Sequence, residues 1–502
     1  MASFKAGILA NMAGQLYSVA IGVLMVPAYV HYMGLEAYGL VSFFVALQAW
    51  FALLDAGISP TLIREISRFR AGDVLVEDLT RFVRSAELLF SVLGLVCGAG
   101  VFLARGWFGS NWFQLETVSV DQVSRCVALM GLMLSCRWLA SLYRSGLIGL
   151  ERFTLINVTQ ISLSTLKSVL VLLVLVWVSS DVVTFFVYQS ILAVSELLIF
   201  ASLFKRELPL SSGVLPSFQA FRPVVRFAGA MALLTMVWGI LAQTDRLILS
   251  HFINLSAFGE YSLAAVAASS VAILATPFTQ ALQPRLVYIA ARQDPQGFEL
   301  VYRTGTQVLA WILGIVAGAA IMMGERILFI WVGNEELAAR SAPLLSLYAA
   351  GHMLWAFSSL VFQLQYVNGK VGRHVVGTLL LAVLWIPAIY FLVVRFGAVG
   401  AAWAWFGGNA LFFFGWMLET QRRMMPKLTL AWLARDVCLI LACCFLIYWC
   451  ANQVLPQGGR IATLAGFGLA AVFAALGGLA AGSMLRPMAA RVVGHLYAKC
   501  RE

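Results

Sequence analysis

Long apolar stretches recur along the chain from Ala6 to Leu485, separated by short polar segments. A helix of roughly 20 apolar residues crosses the hydrocarbon core of a bilayer, and the stretches reach or exceed that length. Alternating strand patterns are absent, so the pattern predicts an all-α polytopic membrane protein rather than a barrel. It predicts fourteen spans, near residues 6–32, 38–58, 82–104, 123–147, 154–179, 181–204, 224–252, 257–283, 304–331, 336–366, 373–395, 397–420, 429–451 and 461–484.

Polar residues interrupt several of these spans at spacings of three and four, which places them on one helix face. Uncharged polar side chains often bond across packed membrane helices, so each one alone is explained as an interhelical contact. Their recurrence on most helices of the first half favours a shared polar lumen instead. The predicted lumen residues are Asn11 and Gln15 in span 1, Gln48 in span 2, Asn157, Gln160 and Ser164 in span 5, and Gln243 in span 7.

Two cations lie near the middle of neighbouring spans. Arg137 is about 15 Å along span 4 from Leu147, and Lys167 is about 20 Å along span 5 from Thr154, at about 1.5 Å per residue. Each is unfavourable there by roughly 2.5–3.5 kcal/mol. Glu196 is the one acid predicted at their depth, so a salt bridge is expected for one cation and the midplane stays net positive. An anionic ligand that binds this remaining positive charge is a more specific hypothesis than salt bridges alone.

Three acids within spans are candidates for binding a coupled ion: Asp55, Glu196 and Asp245. Asp55 is at the inner end of span 2, where a local ion pair with arginines of the next segment is plausible. Asp245 is followed directly by Arg246, which is the third predicted lumen cation. The residues alone do not select among the three acids.

Composition supports a membrane protein, with 61% apolar and 11% charged residues. The net charge is +11, but its distribution is more informative than its size. If the N-terminus is cytoplasmic, the outer segments hold few basic residues and the inner segments hold most of them. By the positive-inside rule both termini are predicted to be cytoplasmic, and no nucleic-acid partner is needed to explain the charge. The outer basic residues are Arg105, Arg340, Arg395 and Arg460.

An internal repeat is predicted at an offset of 220 residues. The segment 31–42 aligns with 251–262, with identical His, Leu, Ala, Gly and Ser at five of twelve positions. Six spans separate the copies, so the two halves are expected to be parallel repeats. The predicted domains are an N-terminal six-helix bundle, a cytoplasmic linker, a C-terminal six-helix bundle, and two extra helices with a tail: residues 1–204, 205–223, 224–420 and 421–502.

Several motifs together resemble the polysaccharide-export branch of the multidrug/oligosaccharidyl-lipid/polysaccharide exporter superfamily, and most of all the Wzx-type O-antigen flippases. The resemblance covers roughly residues 6–420 and is strongest before residue 70. The motifs are Asn11 with Gly14, Pro27, Gly34–Gly39 (GLEAYG), Leu54–Arg68, Gly149–Phe153 (GLERF), Gln243–Ser250 and Phe258–Tyr261.

The resemblance implies two six-helix bundles in a V shape in the bacterial inner membrane. It implies translocation of an undecaprenyl-pyrophosphate-linked oligosaccharide from the cytoplasmic to the periplasmic leaflet, driven by a proton or sodium gradient, without another cofactor. Arg137, Lys167 and Arg246 match lumen cations of the family by position only. Many members have twelve spans, so the role of 429–484 is open.

We therefore expect a flippase that works by alternating access in the lipid bilayer, with a polymerase or chain-length protein of the same pathway as a further partner. A multidrug exporter of the same superfamily is the alternative. A membrane-embedded polymerase is less favoured, because the longest outer connection, residues 105–122, carries no recognisable catalytic motif. The chain is thus predicted not to be an enzyme.

Overall fold

A computed structural model describes residues 2–55, 57–208, 210–211, 213–217, 222–369, 371–455 and 458–487; side chains at 2–13, 15–16 and 222–235 are outside the description. The described residues are almost entirely helical. Eleven helices among them are long and apolar enough to cross a membrane. The predicted all-α polytopic fold is confirmed, while the count of fourteen spans stays a prediction.

The helices follow one another through short connections, and several contain π-helical turns. In chain order they are α1 Ala2–Met33, α2 Leu35–Ala52, α3 Ile58–Arg70, α4 Val76–Leu103, α5 Val120–Gly149, α6 Phe153–Trp177, α7 Val182–Glu207, α8 Arg222–Phe252, α9 Leu255–Ala291, α10 Pro295–Met322, α11 Gly324–Val332, α12 Glu335–Val367, α13 Gly372–Met424, α14 Thr429–Val454 and α15 Arg460–Ala481.

Two predicted segments differ from the observed helices. The predicted span 304–331 is divided at Met323 into α10 and α11, because the backbone of Met323 leaves the helical region (φ −128°, ψ 26°). Conversely, the predicted spans 373–395 and 397–420 lie in one assigned helix, α13. Gly397 separates them with a non-helical backbone (φ 56°, ψ −136°), a conformation that glycine adopts readily.

The chain forms two compact units, residues Met1–Gly259 and Glu260–Glu502. Their boundary falls after the predicted linker 205–223, because α8 packs against α2 and α3 of the first unit. The linker itself is attached to α4: the backbone N–H groups of Ser211 and Ser217 donate to the hydroxyls of Thr80 and Ser85 at 3.1 and 2.8 Å. The domain limits proposed from the sequence stay a prediction.

In the first unit, α4 and α5 approach closely through small residues. A Cβ atom at Gly98 would lie 2.8 Å from the carbonyl oxygen of Gly131, and one at Gly131 would lie 2.6 Å from that of Gly98. Nearby, the rings of Phe90 and Trp138 stack with centroids 4.4 Å apart. Such close backbone contact is typical of membrane helix pairs, and it fixes the position of α5.

The start of α2 crosses the start of α9 in a reciprocal way. A Cβ atom at Gly39 would collide with the carbonyl oxygen of Leu255, and one at Gly259 would collide with that of Leu35. Residues 35 and 255, like 39 and 259, differ by 220. The two close contacts are therefore reciprocal at the predicted offset, while the repeat itself stays a prediction.

In the second unit, α14 and α15 pack against α10 through a polar contact buried among aromatic rings. The Asp436 carboxylate is fully buried and accepts from Arg303 Nε at 2.8 Å and from Gln307 Nε2 at 2.6 Å. The Gln307 amide also donates to Ser483 Oγ at 3.0 Å and accepts from the backbone N–H of Met484 at 2.8 Å. This network joins α10, α14 and the residues after α15.

Candidate functional site

The two predicted midspan cations lie beside one carboxylate. Lys167 Nζ of α6 is 2.5 Å from Glu196 Oε2 of α7, and Arg137 Nε of α5 is 3.9 Å from the same oxygen. Their side chains are 21%, 14% and 17% exposed for Lys167, Arg137 and Glu196. Two cations against one acid leave this cation cluster (Arg137, Lys167 and Glu196) with a formal charge of +1.

Neutral groups complete the surroundings of the guanidinium. Arg137 donates to Gln48 Oε1 of α2 at 3.3 Å and to Gln189 Oε1 of α7 at 3.0 Å. The guanidinium carbon is 5.3 Å from the ring centroid of Phe44, within range of a cation–π interaction. Within the described part of the chain, Arg137 Nε has no hydrogen-bond acceptor. The arginine therefore keeps donor capacity beyond its present contacts.

Lys167 lies in a π-helical turn, Leu166–Leu170, in the middle of α6. Such a turn frees carbonyl groups from the regular helix pattern, and in a membrane these groups need other donors. Three successive carbonyls obtain them from side chains. Tyr188 Oη donates to Leu166 O at 3.0 Å, Gln189 Nε2 to Lys167 O at 2.8 Å, and Tyr29 Oη to Ser168 O at 2.9 Å.

Other predicted lumen residues of α6 face α1 and α5. Ser164 Oγ donates to Ser18 Oγ of α1 at 2.9 Å, and Gln160 Oε1 accepts from Arg144 of α5 at 3.4 Å. Asn157 is buried, and its Oδ1 would lie 3.3 Å from a Cβ atom at Gly14, so glycine leaves room for the amide. These contacts join helices, and Arg144 places a further cation two turns along α5 from the cluster.

The predicted residues of span 7 lie on α8, which packs against α2. Asp245 is buried, and its Oδ1 accepts from the backbone N–H of Arg246 at 2.8 Å. Arg246 and Gln243 are half-buried. Gln243 Oε1 has no hydrogen-bond donor among the described residues. Arg246 is thus on a different helix pair from Arg137 and Lys167.

The remaining predicted residues are Asp55, in the short 3₁₀ turn Leu53–Asp55 after α2, and two residues of α1. Asp55 Oδ1 accepts from the backbone N–H and the hydroxyl of Ser59 at 3.1 and 2.8 Å. It thereby satisfies free donors at the start of α3, which is a structural role. Asn11 and Gln15 belong to α1, but their side chains lie outside the described residues.

The arrangement suits recognition of an anion. Arginine offers hydrogen-bond donors in fixed directions and lysine offers a compact positive charge, and both suit phosphate oxygens. The neighbouring amides can form hydrogen bonds with hydroxyl groups. Reasoning from sequence missed two residues that shape this cluster, Tyr29 and Tyr188. Gln189 is seven residues before Glu196 and therefore on the same face of α7, which is the signal that identifies it.

Solved structures with the same fold are membrane transporters and flippases. The chain resembles the lipid II flippase MurJ in an inward closed conformation, with a TM-score of 0.71, 12% identity, and coverage of 93% of this chain and 97% of that one. It also resembles an inward-facing multidrug resistance MATE family transporter of the MOP superfamily, with a TM-score of 0.66, 14% identity, and coverage of 82% and 95%. These likenesses show the fold, which is that of a multi-pass membrane protein.

Sequence comparison identifies the family. Residues 4–290 match the family described as "Polysaccharide biosynthesis protein", and the chain belongs to it. The chain is 22% identical over 439 residues to a Shigella flexneri protein named "Putative O-antigen transporter", covering 86% of this chain and 99% of that protein. The resemblance to polysaccharide exporters is confirmed, and these relatives are transporters or flippases rather than enzymes.

Proposed function

We propose that the protein flips an undecaprenyl-pyrophosphate-linked oligosaccharide, such as an O-antigen repeat unit, from the cytoplasmic to the periplasmic leaflet of the bacterial inner membrane. The observation that carries this proposal is the cation cluster, in which Arg137 and Lys167 share Glu196 halfway along three membrane helices. The pyrophosphate would bind the two cations, while amides such as Gln48 bind sugar hydroxyls. The lipid tail stays in the bilayer, and alternating access moves the head group.

The charge of Arg137 gives the sharpest test. In a strain lacking the chromosomal gene, Arg137→Glu is expected to abolish surface-polysaccharide export, because it reverses a charge facing the pyrophosphate. Arg137→Lys should retain part of the export, and Arg125→Gln is the matched control. Arg125 is on the same helix, but it is an exposed partner of Asp121.

Polysaccharide on the cell surface and lipid-linked intermediate in the membrane are measured together, at equal protein levels. Normal export by both Arg137→Ala and Lys167→Ala would refute the role of the cluster. Efflux of organic drugs without any change in polysaccharide would favour the multidrug alternative. A net positive cluster disfavours cationic drugs, which is why we prefer the flippase.

Among the three candidate acids, we assign ion coupling to Glu196. The reason is that Glu196 contacts both cations of the cluster, whereas Asp55 accepts hydrogen bonds from Ser59 in the first turn of α3 and Asp245 lies on α8, away from the cluster. A proton or sodium ion on Glu196 would release the cations to the passenger. In proteoliposomes, a gradient of the coupling ion should accelerate transport by the wild type but not by Glu196→Gln; equal acceleration of both would overturn this assignment.

The orientation is part of the same proposal. Both termini are placed in the cytoplasm by the distribution of basic residues, and reporter fusions at residues 1 and 502 test this. A polymerase or chain-length protein of the same pathway is the expected partner, because these proteins act on the exported product.

A further inference from the structure

Gln189 of α7 links the Arg137 guanidinium on α5 to the backbone of Lys167 on α6. Its Oε1 accepts from Arg137 Nη2 at 3.0 Å, and its Nε2 donates to the carbonyl oxygen of Lys167 at 2.8 Å. A guanidinium only donates hydrogen bonds and a carbonyl only accepts them, so both contacts fix the orientation of the amide. The side chain is 6% exposed, and one residue therefore holds two helices at the level of the cluster.

The π-helical turn gives this bridge its importance. The turn inserts an extra residue into α6, so it sets the direction in which Lys167 points relative to the rest of the helix. A regular helix would remove the need for side-chain donors at Leu166, Lys167 and Ser168. Instead, Tyr188, Gln189 and Tyr29 each supply one donor. Three donors from two neighbouring helices favour the irregular turn over the regular helix.

We propose that Gln189 is the positioning residue of the cation cluster, holding the π-helical turn so that the Lys167 ammonium lies beside Glu196 and Arg137. Tyr188 supports the same turn without touching Arg137. Neither residue needs to contact the passenger. The inference rests on the proposed function only for what the cluster binds; the positioning itself is a property of the free protein.

The test measures the chemical reactivity of the Lys167 amine, which depends on whether Glu196 lies beside it. It uses full-length protein reconstituted into lipid nanodiscs. Formaldehyde and cyanoborohydride methylate neutral amines, and mass spectrometry gives the rate for each lysine. Exposed Lys427 is the internal reference. A lysine held against a carboxylate is a poorer nucleophile than a free amine and reacts slowly; loss of the partner is expected to raise the rate by about tenfold.

Gln189→Leu removes both bonds and should give the full increase at Lys167. Tyr188→Phe removes one turn bond and should give a smaller increase. Tyr17→Phe is the matched control, because the Tyr17 hydroxyl bonds the side chain of Thr165 on the same helix rather than a carbonyl of the turn. It should leave the rate unchanged. The methylation rates of each variant and of the wild type are compared at a temperature where their circular dichroism is equal, so that both proteins are equally folded.

An unchanged Lys167 rate in both Gln189→Leu and Tyr188→Phe would overturn the inference, as would an equal increase in Tyr17→Phe. Two variants keep the test decisive should Gln189→Leu not fold. Export by the Arg137→Ala variant, measured as above, separates the two proposals. If Lys167 is methylated faster in the Gln189 and Tyr188 variants while Arg137→Ala exports normally, the positioning role holds and the flippase site is rejected. If methylation of Lys167 stays slow in those variants while Arg137→Ala loses export, the flippase site holds and the positioning role is rejected.

Discussion

At the scale of single residues, Glu196 is the group on which the cluster depends. It is the shared partner of Lys167 and Arg137, and none of the three side chains is more than 21% exposed. The amides of Gln48 and Gln189 accept hydrogen bonds from Arg137 but carry no charge. Removing Glu196 would leave two positive charges inside the membrane without an opposing one.

Glu196→Ala should therefore destabilise the protein by about 3–5 kcal/mol, the usual effect of breaking a buried ion pair. Thermal unfolding in a mild detergent measures this. Glu207→Ala is the matched control on the same helix: Glu207 pairs with Arg152 at 2.7 Å, but the Arg152 side chain is 58% exposed. The control should change stability by no more than about 1 kcal/mol. Equal destabilisation by both variants would contradict the central place of Glu196.

At the scale of helices, the loop before α5 connects α2 to the junction between α8 and α9. The Glu36 carboxylate accepts from the backbone N–H groups of Glu116, Thr117 and Val118 and from the Thr117 hydroxyl. Further along, the backbone N–H of Leu255 donates to Gln114 O at 3.0 Å, and Asn254 Nδ2 donates to Glu116 Oε1 at 2.7 Å. These bonds hold the loop where α2 and α9 cross.

Gly39→Ala tests that crossing. The added methyl group would meet the backbone of Leu255, which cannot move aside as a flexible side chain would, so we expect a loss of about 1–3 kcal/mol. Gly22→Ala on α1 is the control, because a Cβ atom there meets no atom within 4 Å. In the interior of a helix it should be neutral or slightly stabilising. A stable Gly39→Ala variant, measured by thermal unfolding, would mean that the helices are less closely packed.

Helix positions and the members of the cluster were predictable from sequence for a simple reason. The length of an apolar stretch indicates that it crosses the membrane, and a charged residue in the middle of a span needs a partner at the same depth. The offset of 220 residues was visible because the segments 31–42 and 251–262 are similar in sequence. The π-helical turn at Lys167 was not, since it depends on donors from α1 and α7 that no local pattern reveals. Likewise, Asp55 is an acid within a predicted span, as a coupling residue would be, but it forms hydrogen bonds with Ser59 at the start of α3.

At the scale of the whole molecule, the last two helices are built into the second unit. Asp436 of α14 is fully buried against Arg303 and Gln307 of α10. Trp432, one turn earlier, donates to the hydroxyl of Thr306 at 2.8 Å. At the C-terminal end of α14, Arg326 of α11 donates to the carbonyl oxygens of Asn452 and Leu455 at 3.2 and 2.7 Å. Polar contacts at both ends of α14 give it one fixed position.

Asp436→Ala is expected to loosen this attachment, because it removes the fully buried carboxylate that binds both Arg303 and Gln307; the expected loss is about 3–5 kcal/mol. Glu299→Ala is the matched control, since Glu299 pairs with the same arginine at 3.6 Å but is 47% exposed, and it should cost at most about 1 kcal/mol. Hydrogen–deuterium exchange shows which helices the substitution loosens. If α14 and α15 are integral to the unit, exchange rises in α10 as well as in α14. A rise confined to α14 and α15 would instead show an appended pair whose loosening the rest of the unit does not sense.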